Sequence, residues 1–285
     1  MKIGIADAGG GMRGIYSAGV YDYCMDKGIT FDLYIGVSAG SGNLLRYVAG
    51  QPRVSRKFYT TYAFRKEYIS KRNILRRGCY VNLDYAYRVL VAEDGEAPLD
   101  YDAIVRNPAQ FMAVAADIDS GEPRYFTKEE LSRGRYDPLM ASSSIPLISK
   151  PVKIGGRRYY DGALADPIPV AKLFEEGCDL AVMVLTRPAD ELRKPGRDPK
   201  LADMIRHRFP NAAESLRARA DRYNAGVALA KELEAEGKAL VLAPKDTFGV
   251  DTLTREIPPM ISLYRAGYKD GRKICAFLKK HGVTI

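Results

Sequence analysis

The sequence lacks several features that define whole classes of protein. Its 285 residues contain no apolar run near the ~18 residues that a membrane-spanning helix requires. The first residues include no apolar stretch long enough for a secretory signal, so we expect a cytoplasmic protein. With 46% hydrophobic and 28% charged residues, the composition is typical of an ordinary folded domain and not of a disordered chain.

Cysteine and histidine are both scarce. The four cysteines lie far apart and form no C-x-x-C pair, which argues against a disulfide framework and against a zinc finger. The two histidines, His207 and His281, follow neither a strand end nor a glycine turn. We therefore expect reduced thiols, surface histidines and no bound metal.

Basic residues are in excess and unevenly spread. The net charge of +9 arises from 44 basic and 35 acidic residues. Residues 51–91 hold ten of the basic side chains, six tyrosines and two phenylalanines, but only two acids. Since no nucleic-acid-binding motif accompanies this charge, we expect no nucleic-acid partner.

Two interpretations of this basic-aromatic segment stay open. Its aromatic rings could pack on the core of the protein while its cations face solvent. Alternatively, aromatic rings and cations together could contact anionic lipid, which would make the protein peripheral at the inner membrane surface. The side chains concerned are Tyr59, Tyr62, Phe64, Arg65, Lys66, Tyr68, Lys71 and Arg72.

The order of the predicted elements is typical of α/β architecture. Strands are predicted at residues 2–7, 31–37, 109–118, 123–126, 152–154, 158–160, 179–185 and 239–243. Helices are predicted at residues 15–27, 136–144, 169–176, 200–236 and 257–280, with an interruption of the fourth near Pro210. A further helix is predicted to begin at residue 39, and most of the segment from residue 52 is predicted to be helical. Because proline and charge are concentrated at residues 187–199, we predict a core at residues 1–190 and a mostly helical C-terminal extension at residues 191–285, packed on that core.

The first motif is a glycine-rich turn between the first predicted strand and helix. It contains Gly9, Gly10, Gly11, Arg13 and Gly14. The pattern fits G-x-G-x-x-G, so a dinucleotide site stays open, although the nearest suitable acid, Asp32, begins its strand instead of ending it. The other interpretation is an oxyanion hole, in which the N–H groups of Gly10 and Gly11, with Arg13, face the negative oxygen of an acyl-transfer transition state.

The second motif, Gly36-Val-Ser-Ala-Gly40, is a G-x-S-x-G sequence at the junction of a predicted strand and a predicted helix. A sharp turn in this position exposes the serine hydroxyl at the edge of a sheet, and the small flanking residues allow close approach of a substrate. The motif therefore predicts that Ser38 is a nucleophile.

A serine hydroxyl needs a base to become nucleophilic. A triad of Ser38, Asp161 and His207 would follow the order found in α/β hydrolases. In that fold several strands come before the serine turn, whereas here one strand and one helix precede the strand that leads into Ser38. Asp161 itself follows a predicted strand, with Gly162 providing room for a turn. Burial beside tyrosines would raise its pKa and make it a better base, so a direct Ser38–Asp161 pair is the second possibility.

These motifs, in this order, resemble the patatin-like phospholipase family and its bacterial branch. The glycine turn, the G-x-S-x-G sequence and Asp161-Gly-Ala163 carry the resemblance, and Ala141-Ser-Ser-Ser-Ile-Pro146 is similar to a further family segment. The resemblance covers about residues 1–190. One departure is Asp7-Ala8, where a glycine or serine often precedes the glycines.

The resemblance implies a three-layer α/β/α sandwich around a mainly parallel sheet, and a serine esterase that hydrolyses acyl esters of lipids without metal or cofactor. Ser38 would be the nucleophile and Asp161 the general base. The implied oxyanion hole contains Gly9, Gly10, Gly11 and Arg13, with Gly14, Gly36, Gly40 and Gly162 as supporting motif residues. The alternative function is a catalytically silent lipid- or nucleotide-binding α/β protein on the same scaffold.

Overall fold

The computed structural model describes residues 1–283, and an eight-stranded sheet forms its centre. The strands are β1 (Ile3–Asp7), β2 (Leu33–Val37), β3 (Gln110–Asp117), β4 (Pro123–Thr127), β5 (Val152–Ile154), β6 (Arg157–Asp161), β7 (Leu180–Val184) and β8 (Ala239–Leu242). Their order is β5-β6-β3-β2-β1-β7-β8, and β4 pairs with β3.

Five neighbouring strands of this sheet, β3, β2, β1, β7 and β8, are parallel. Every residue of β1, β2 and β7 is buried. Strands that are buried on both faces read as continuous apolar runs, because helices cover both sides of a parallel sheet. The predicted mainly parallel sheet is confirmed, and β4, β5 and β6 form its antiparallel part.

Helices cover both faces of the sheet. They are α1 (Ile15–Asp26), α2 (Ala39–Val48), α3 (Val54–Thr60), α4 (Lys71–Arg77), α5 (Tyr101–Arg106), α6 (Asp137–Ser142), α7 (Val170–Glu175), α8 (Asp198–Ile205), α9 (Pro210–Ala235), α10 (Ile257–Asp270) and α11 (Arg272–Lys280). Residues of α1, α2 and α10 share one apolar core with the sheet, and residues of α7 and α9 share another. The predicted three-layer α/β/α sandwich is therefore confirmed.

The chain after residue 190 contributes to both helical layers and to the sheet. Strand β8 pairs in parallel with β7, α9 packs on the core below β7, and α10 packs along α1. The break near Pro210 is confirmed, because α8 ends at Ile205 and α9 begins at Pro210. The single closing helix predicted at 257–280 is wrong: it divides at Gly271, which lies against the ring of Tyr23.

The basic-aromatic segment is less regular than predicted. It contains two short helices, α3 and α4, a 3-10 turn at Tyr62–Phe64 and a π turn at Tyr85–Val89. The rings of Tyr59 and Tyr62 are buried, and Phe58, Phe64 and Tyr68 are partly buried against the core. These rings therefore stabilise the fold from inside, since their apolar surface is removed from water.

The connections of the strands create a crevice at one edge of the sheet. From β1 the chain continues through α1 to β2 on one side, while β7 lies on the other side of β1. A crevice forms where the strand order reverses in this way, beyond the carboxyl ends of the strands. The loops after β1, β2 and β7 meet there. Within residues 1–283, no helix has the length and apolar character needed to cross a membrane.

Candidate active site

Ser38 occupies a strained turn between β2 and α2. Its φ of 56° and ψ of −129° lie in a region that non-glycine residues rarely adopt, at a cost of about 1–3 kcal/mol. Three hydrogen bonds hold the residue there. Its N–H donates to Ser142 Oγ over 2.9 Å, and its carbonyl oxygen accepts from both the N–H and the hydroxyl of Ser41. The strain directs the hydroxyl away from the helix that begins at Ala39.

The register of β3 places Asp161 opposite this serine. Val37, the last residue of β2, pairs with Val114, and on the other side of β3 Asp161 pairs with Ala115. Ser38 thus follows β2, and Asp161 ends β6, the two strands that flank β3. Across the sheet, their backbones are two inter-strand spacings, or roughly 10 Å, apart. Their side chains close this gap, and Ser38 Oγ donates a hydrogen bond of 2.7 Å to Asp161 Oδ2.

The carboxyl group of Asp161 is buried and only 2% exposed. Burial raises its pKa above the ordinary value of 3.8, while hydrogen bonds from Ser38 and the Ala163 N–H, and the charges of Arg219 and Arg193, oppose that rise. The Ala163 N–H donates to Oδ1 over 2.9 Å, so Oδ2 is the oxygen that faces the serine. A raised pKa makes this carboxylate a stronger proton acceptor than an aspartate in water.

Four motif glycines allow backbone segments to meet at the site. A Cβ on Gly162 would overlap the carbonyl oxygen of Val114 in β3, and one on Gly36 would overlap Ser41 in α2. Gly40 lies against the carboxyl of Asp7, and Gly14 lies against the hydroxyl of Tyr59. These positions exclude larger side chains because an added Cβ would lie within 2.5 Å of a neighbouring atom at each of them.

The glycine turn runs from the end of β1 into a short 3-10 helix at Gly11–Gly14. Gly9, Gly10 and Gly11 have φ values of 65°, 130° and 60°, which are unfavourable for residues with a side chain. The Gly9 N–H donates to Asp7 Oδ1 over 2.8 Å, and the Met12 N–H donates to the Thr252 carbonyl over 3.1 Å. The N–H groups of Gly10 and Gly11 donate to no residue that the structure describes.

Arg13 is buried beside this turn. Its Nη1 forms an ion pair of 2.5 Å with Asp251 Oδ1, on the loop between β8 and α10. Its Nη2 lies 3.4 Å from the position that a Cβ of Gly10 would occupy. The sequence-predicted residues Gly9, Gly10, Gly11 and Arg13 therefore lie together, but the N–H of Gly9 is already engaged by Asp7.

The other candidates for a base or a cofactor lie elsewhere. His207 is exposed on the chain between α8 and α9, and His281 Nδ1 donates to the Phe277 carbonyl oxygen over 2.9 Å at the end of α11. Asp32 precedes β2 at the opposite edge of the sheet, where its carboxylate accepts from the Ile3 N–H. Within residues 1–283, no group of three His, Cys, Asp or Glu side chains is arranged to hold a metal ion.

An apolar cleft of about 120 Å³ opens beside Ser38. Gly11, Met12 and Ser38 line its polar end. Its walls include Phe58, Val81, Leu83, Leu139, Ile148 and Leu253. The cleft lies on the side of the sheet that carries α2. Its lining is suited to a hydrocarbon chain attached to a carbon atom that reacts at Ser38.

Sequence reasoning missed three residues that position the site. Ser142 accepts the N–H of Ser38, Asp7 anchors the glycine turn, and Thr252 accepts the N–H of Met12. For Asp7, the departure from the family pattern at that position was a signal in the sequence. The sequence has no signal for Thr252, because its partner lies 240 residues away along the chain.

Comparison with known proteins agrees with this geometry. Residues 8–174 match the family model described as patatin-like phospholipase, and the chain belongs to that family. Residues 209–281 match a second model, a domain of unknown function called DUF6363. The family assignment made from the motifs is therefore confirmed, and it supports a lipid acyl hydrolase at the level of the family.

Several proteins are similar to this chain over part of their length. The uncharacterized protein YjjU of Escherichia coli K12 is 32% identical over 193 residues, which cover 66% of this chain and 53% of that protein. The uncharacterized NTE family protein Rv1063c of Mycobacterium tuberculosis H37Rv is 26% identical over 189 residues, covering 64% and 48%. The chain thus spans about half the length of these curated relatives.

Among solved structures, VipD from Legionella pneumophila shares the fold. Its superposition covers 98% of this chain and 67% of that chain, with a TM-score of 0.53 and 12% sequence identity. At this identity the likeness extends to the fold alone.

The buried carboxyl of Asp7 generates a prediction about stability. Burial raises the pKa of Asp7 from 3.8 to about 6, against hydrogen bonds from Gly9, Ser17 and Tyr21. Because the folded state binds this proton more tightly than the unfolded state, the free energy of unfolding falls as the pH rises through both values. Relative to Asp7→Asn, we expect the wild type to lose about 2 kcal/mol between roughly pH 4 and pH 7.

Urea unfolding of both proteins across that range measures the difference. Asp94→Asn, at an exposed position, is the control for a generic effect of removing a carboxylate. Stability curves for wild type and Asp7→Asn that stay parallel over the whole range would contradict the prediction.

Proposed function

We propose that this protein is a serine acyl hydrolase that cleaves acyl esters of lipids through a Ser38–Asp161 dyad. The observation that carries the proposal is the 2.7 Å hydrogen bond from Ser38 Oγ to a buried carboxylate, at a strained strand-to-helix turn beside an apolar cleft. A serine that donates to a carboxylate of raised pKa is prepared to lose its proton as it attacks. Membership of the patatin-like family supports this class of reaction.

In the first step, Ser38 Oγ attacks the ester carbonyl carbon while Asp161 Oδ2 accepts the hydroxyl proton. The carbonyl oxygen becomes negative and accepts hydrogen bonds from the N–H groups of Gly10 and Gly11. These donors have no other partner within residues 1–283, so they need not be released before the reaction. Arg13, whose guanidinium lies beside Gly10, adds positive charge to the same region.

The intermediate then collapses. The alcohol part of the ester leaves with the proton held by Asp161, and an acyl-Ser38 ester remains with its chain in the apolar cleft. Water, deprotonated by Asp161, attacks that ester, and the returning proton restores the Ser38 hydroxyl. One carboxylate thus serves as base and acid in turn, which is the role that histidine plays in serine triads.

Replacement of either dyad residue tests the function. For Ser38→Ala and Asp161→Asn we expect losses of about 10³-fold or more in kcat/KM for p-nitrophenyl esters, since one variant lacks the nucleophile and the other its base. Ser132→Ala and Asp94→Asn make the same atomic changes at exposed positions and should retain full activity. The measurement is a series of esters of rising chain length, assayed with all five proteins.

Reactivity with a fluorophosphonate supplies an independent readout for the nucleophile. The wild type and Ser132→Ala should be labelled, and Ser38→Ala should not. Full turnover by a folded Ser38→Ala protein would refute the dyad. A folded wild type that neither turns over esters nor becomes labelled would indicate a silent lipid-binding protein instead.

The pH dependence follows from Asp161. Its pKa is raised by burial, and only the ionised carboxylate can accept the Ser38 proton. Activity should therefore fall as the pH drops through this raised value, so the acidic limb of kcat/KM lies above the pKa of 3.8 that an ordinary aspartate would give. A pH–rate profile from acid to neutral, with circular dichroism to verify folding, measures it. A flat profile down to pH 4 would contradict this assignment.

We also propose that α4 contacts anionic lipid. Its Leu75 side chain is 90% exposed and Ile74 is 51% exposed. Lys71, Arg72, Arg76 and Arg77 surround them and are exposed as well. Ile69 before α4 and Val81 after it line the apolar cleft, so a lipid held at this helix adjoins the entrance to the site. The four free thiols are typical of the reducing cytoplasm, which favours the cytoplasmic leaflet as that surface.

Vesicle binding tests this contact. The wild type should co-sediment with vesicles that contain phosphatidylglycerol, and added salt should weaken binding because the cations act through screened charge. Leu75→Glu should weaken binding about tenfold, since it removes one inserted apolar side chain and adds a negative charge. Val105→Glu, at an exposed apolar position of α5, is the matched control. Equal binding by both variants would exclude α4 as the contact.

A further inference from the structure

Three arginines carry the buried side-chain atoms that lack a hydrogen-bond partner within the described part of the chain. These atoms are Nε of Arg13, Arg187 and Arg193. A buried donor without an acceptor is costly, and more so when it carries charge. Nearly all buried polar groups in folded proteins are paired, so unpaired donors that gather in one place point to a missing acceptor.

The three side chains lie together on the α9 side of the glycine turn. Arg187 follows the end of β7, directly after Thr186, whose hydroxyl donates to the Gly9 carbonyl oxygen. The guanidinium of Arg13 packs beside Gly10. Arg193 is held by its own backbone N–H, which donates over 2.8 Å to Asn224 Oδ1 of α9. The loop after β7 therefore brings two cations to the edge of the turn.

Tyr223 of α9 packs against Arg193 of this arginine cluster. The guanidinium carbon of Arg193 is 5.7 Å from the centre of its ring. Burial raises the pKa of the Tyr223 phenol. The positive charges of Arg187, Arg193 and Arg13 each lower that pKa, so all three charges act on the Tyr223 hydroxyl. The charge of Arg193 also lowers the pKa of Asp161, against the effect of burial.

Each arginine of the cluster has one carboxylate within 4.0 Å, but only Asp251 forms a hydrogen bond with its arginine. Asp198 forms two hydrogen bonds with Arg219, of 2.8 and 2.5 Å, and approaches Arg193 only to 3.7 Å. Glu191 is 60% exposed and 4.0 Å from Arg187, and Asp251, which pairs with Arg13, is 77% exposed. The guanidinium groups of Arg187 and Arg193 thus form no hydrogen bond with any residue that the structure describes, although both are mostly buried.

We propose that the guanidinium groups of Arg187 and Arg193, with Arg13 beside them, form a binding site for a phosphate group. Guanidinium groups match phosphate oxygens in geometry and charge, and an anion here would accept from the Nη groups of Arg187 and Arg193, which donate to no residue that the structure describes. All but Arg13 lie beyond residues 8–174, the part of the chain that matches the patatin-like model. The site and the apolar cleft flank the glycine turn on opposite sides.

Inorganic phosphate is the probe for this site. At constant ionic strength, phosphate should raise the melting temperature of the wild type saturably, because a ligand that binds only the folded state stabilises it. Arg187→Met and Arg193→Met should weaken phosphate affinity at least tenfold in calorimetry. Arg106→Met, at an exposed position on α5 near the opposite edge of the sheet, should bind as the wild type does. Arg187→Lys retains the charge without the planar donor group and should give an intermediate affinity.

Kinetics identify the source of the phosphate group, and this part rests on the proposed function. If the site takes the headgroup of a lipid substrate, both Met variants should raise KM for a phospholipid in mixed micelles about tenfold more than for a p-nitrophenyl ester. Free phosphate should then compete with the phospholipid. If the site takes a separate phosphate compound, phosphate should change turnover of both substrates alike. Either result supports a phosphate site.

Absence of a saturable phosphate effect in the wild type, or an equal effect in wild type and both Met variants, would overturn the proposal. Because the binding experiment can be repeated with Ser38→Ala, it is independent of catalysis. If the protein hydrolyses esters but does not bind phosphate, the phosphate site is wrong. If it binds phosphate but Ser38 and Asp161 support no hydrolysis, the proposed function is wrong. Should Arg187→Met fail to fold, Arg193→Met and Arg187→Lys provide the same comparison.

Discussion

Ser38 and Asp161 come together because both flank a single strand, β3. Parallel pairing with β2 on one side and antiparallel pairing with β6 on the other set the two backbones at the level of Ala115. A slip of one residue in either pairing would turn a side chain to the other face of the sheet. The Gly162 position, where a Cβ would overlap the Val114 carbonyl, enforces the close approach of the second loop. The rest of the site is arranged around this register.

The surroundings of Ser38 and Asp161 are asymmetric, with apolar residues on one side and charged residues on the other. On the α2 side lies an apolar cleft lined by aliphatic and aromatic residues. On the α9 side lies the arginine cluster around Tyr223. The glycine turn separates them, and its free N–H groups lie between the two. The proposed function and the proposed phosphate site together predict an ester with a hydrocarbon chain on one side of its carbonyl and an anionic group on the other.

Much of this could be predicted from particular stretches of sequence. Continuous apolar runs predicted β1, β2 and β7, and the G-x-S-x-G sequence at a strand-to-helix junction predicted the turn at Ser38. The division of the last helix at Gly271 was not predicted, because the apolar periodicity of residues 257–280 continues through it and only packing against Tyr23 reveals it. The segment from residue 52 was predicted as mostly helical, but burial of its tyrosines among several elements, a tertiary effect, overrides helix propensity there.

The residue types of the site and the local turns that carry them follow from short stretches of sequence. Glycines permit positive φ, Gly36 and Gly40 permit a sharp turn around Ser38, and these requirements are local. Which distant groups meet depends on the tertiary structure. Asp161 reaches Ser38 through strand register, Asp251 reaches Arg13 from 238 residues away, and Arg187 and Arg193 gather at Tyr223 through the packing of α9. Such pairings depend on how the sheet and helices assemble, and no short stretch of sequence contains that information.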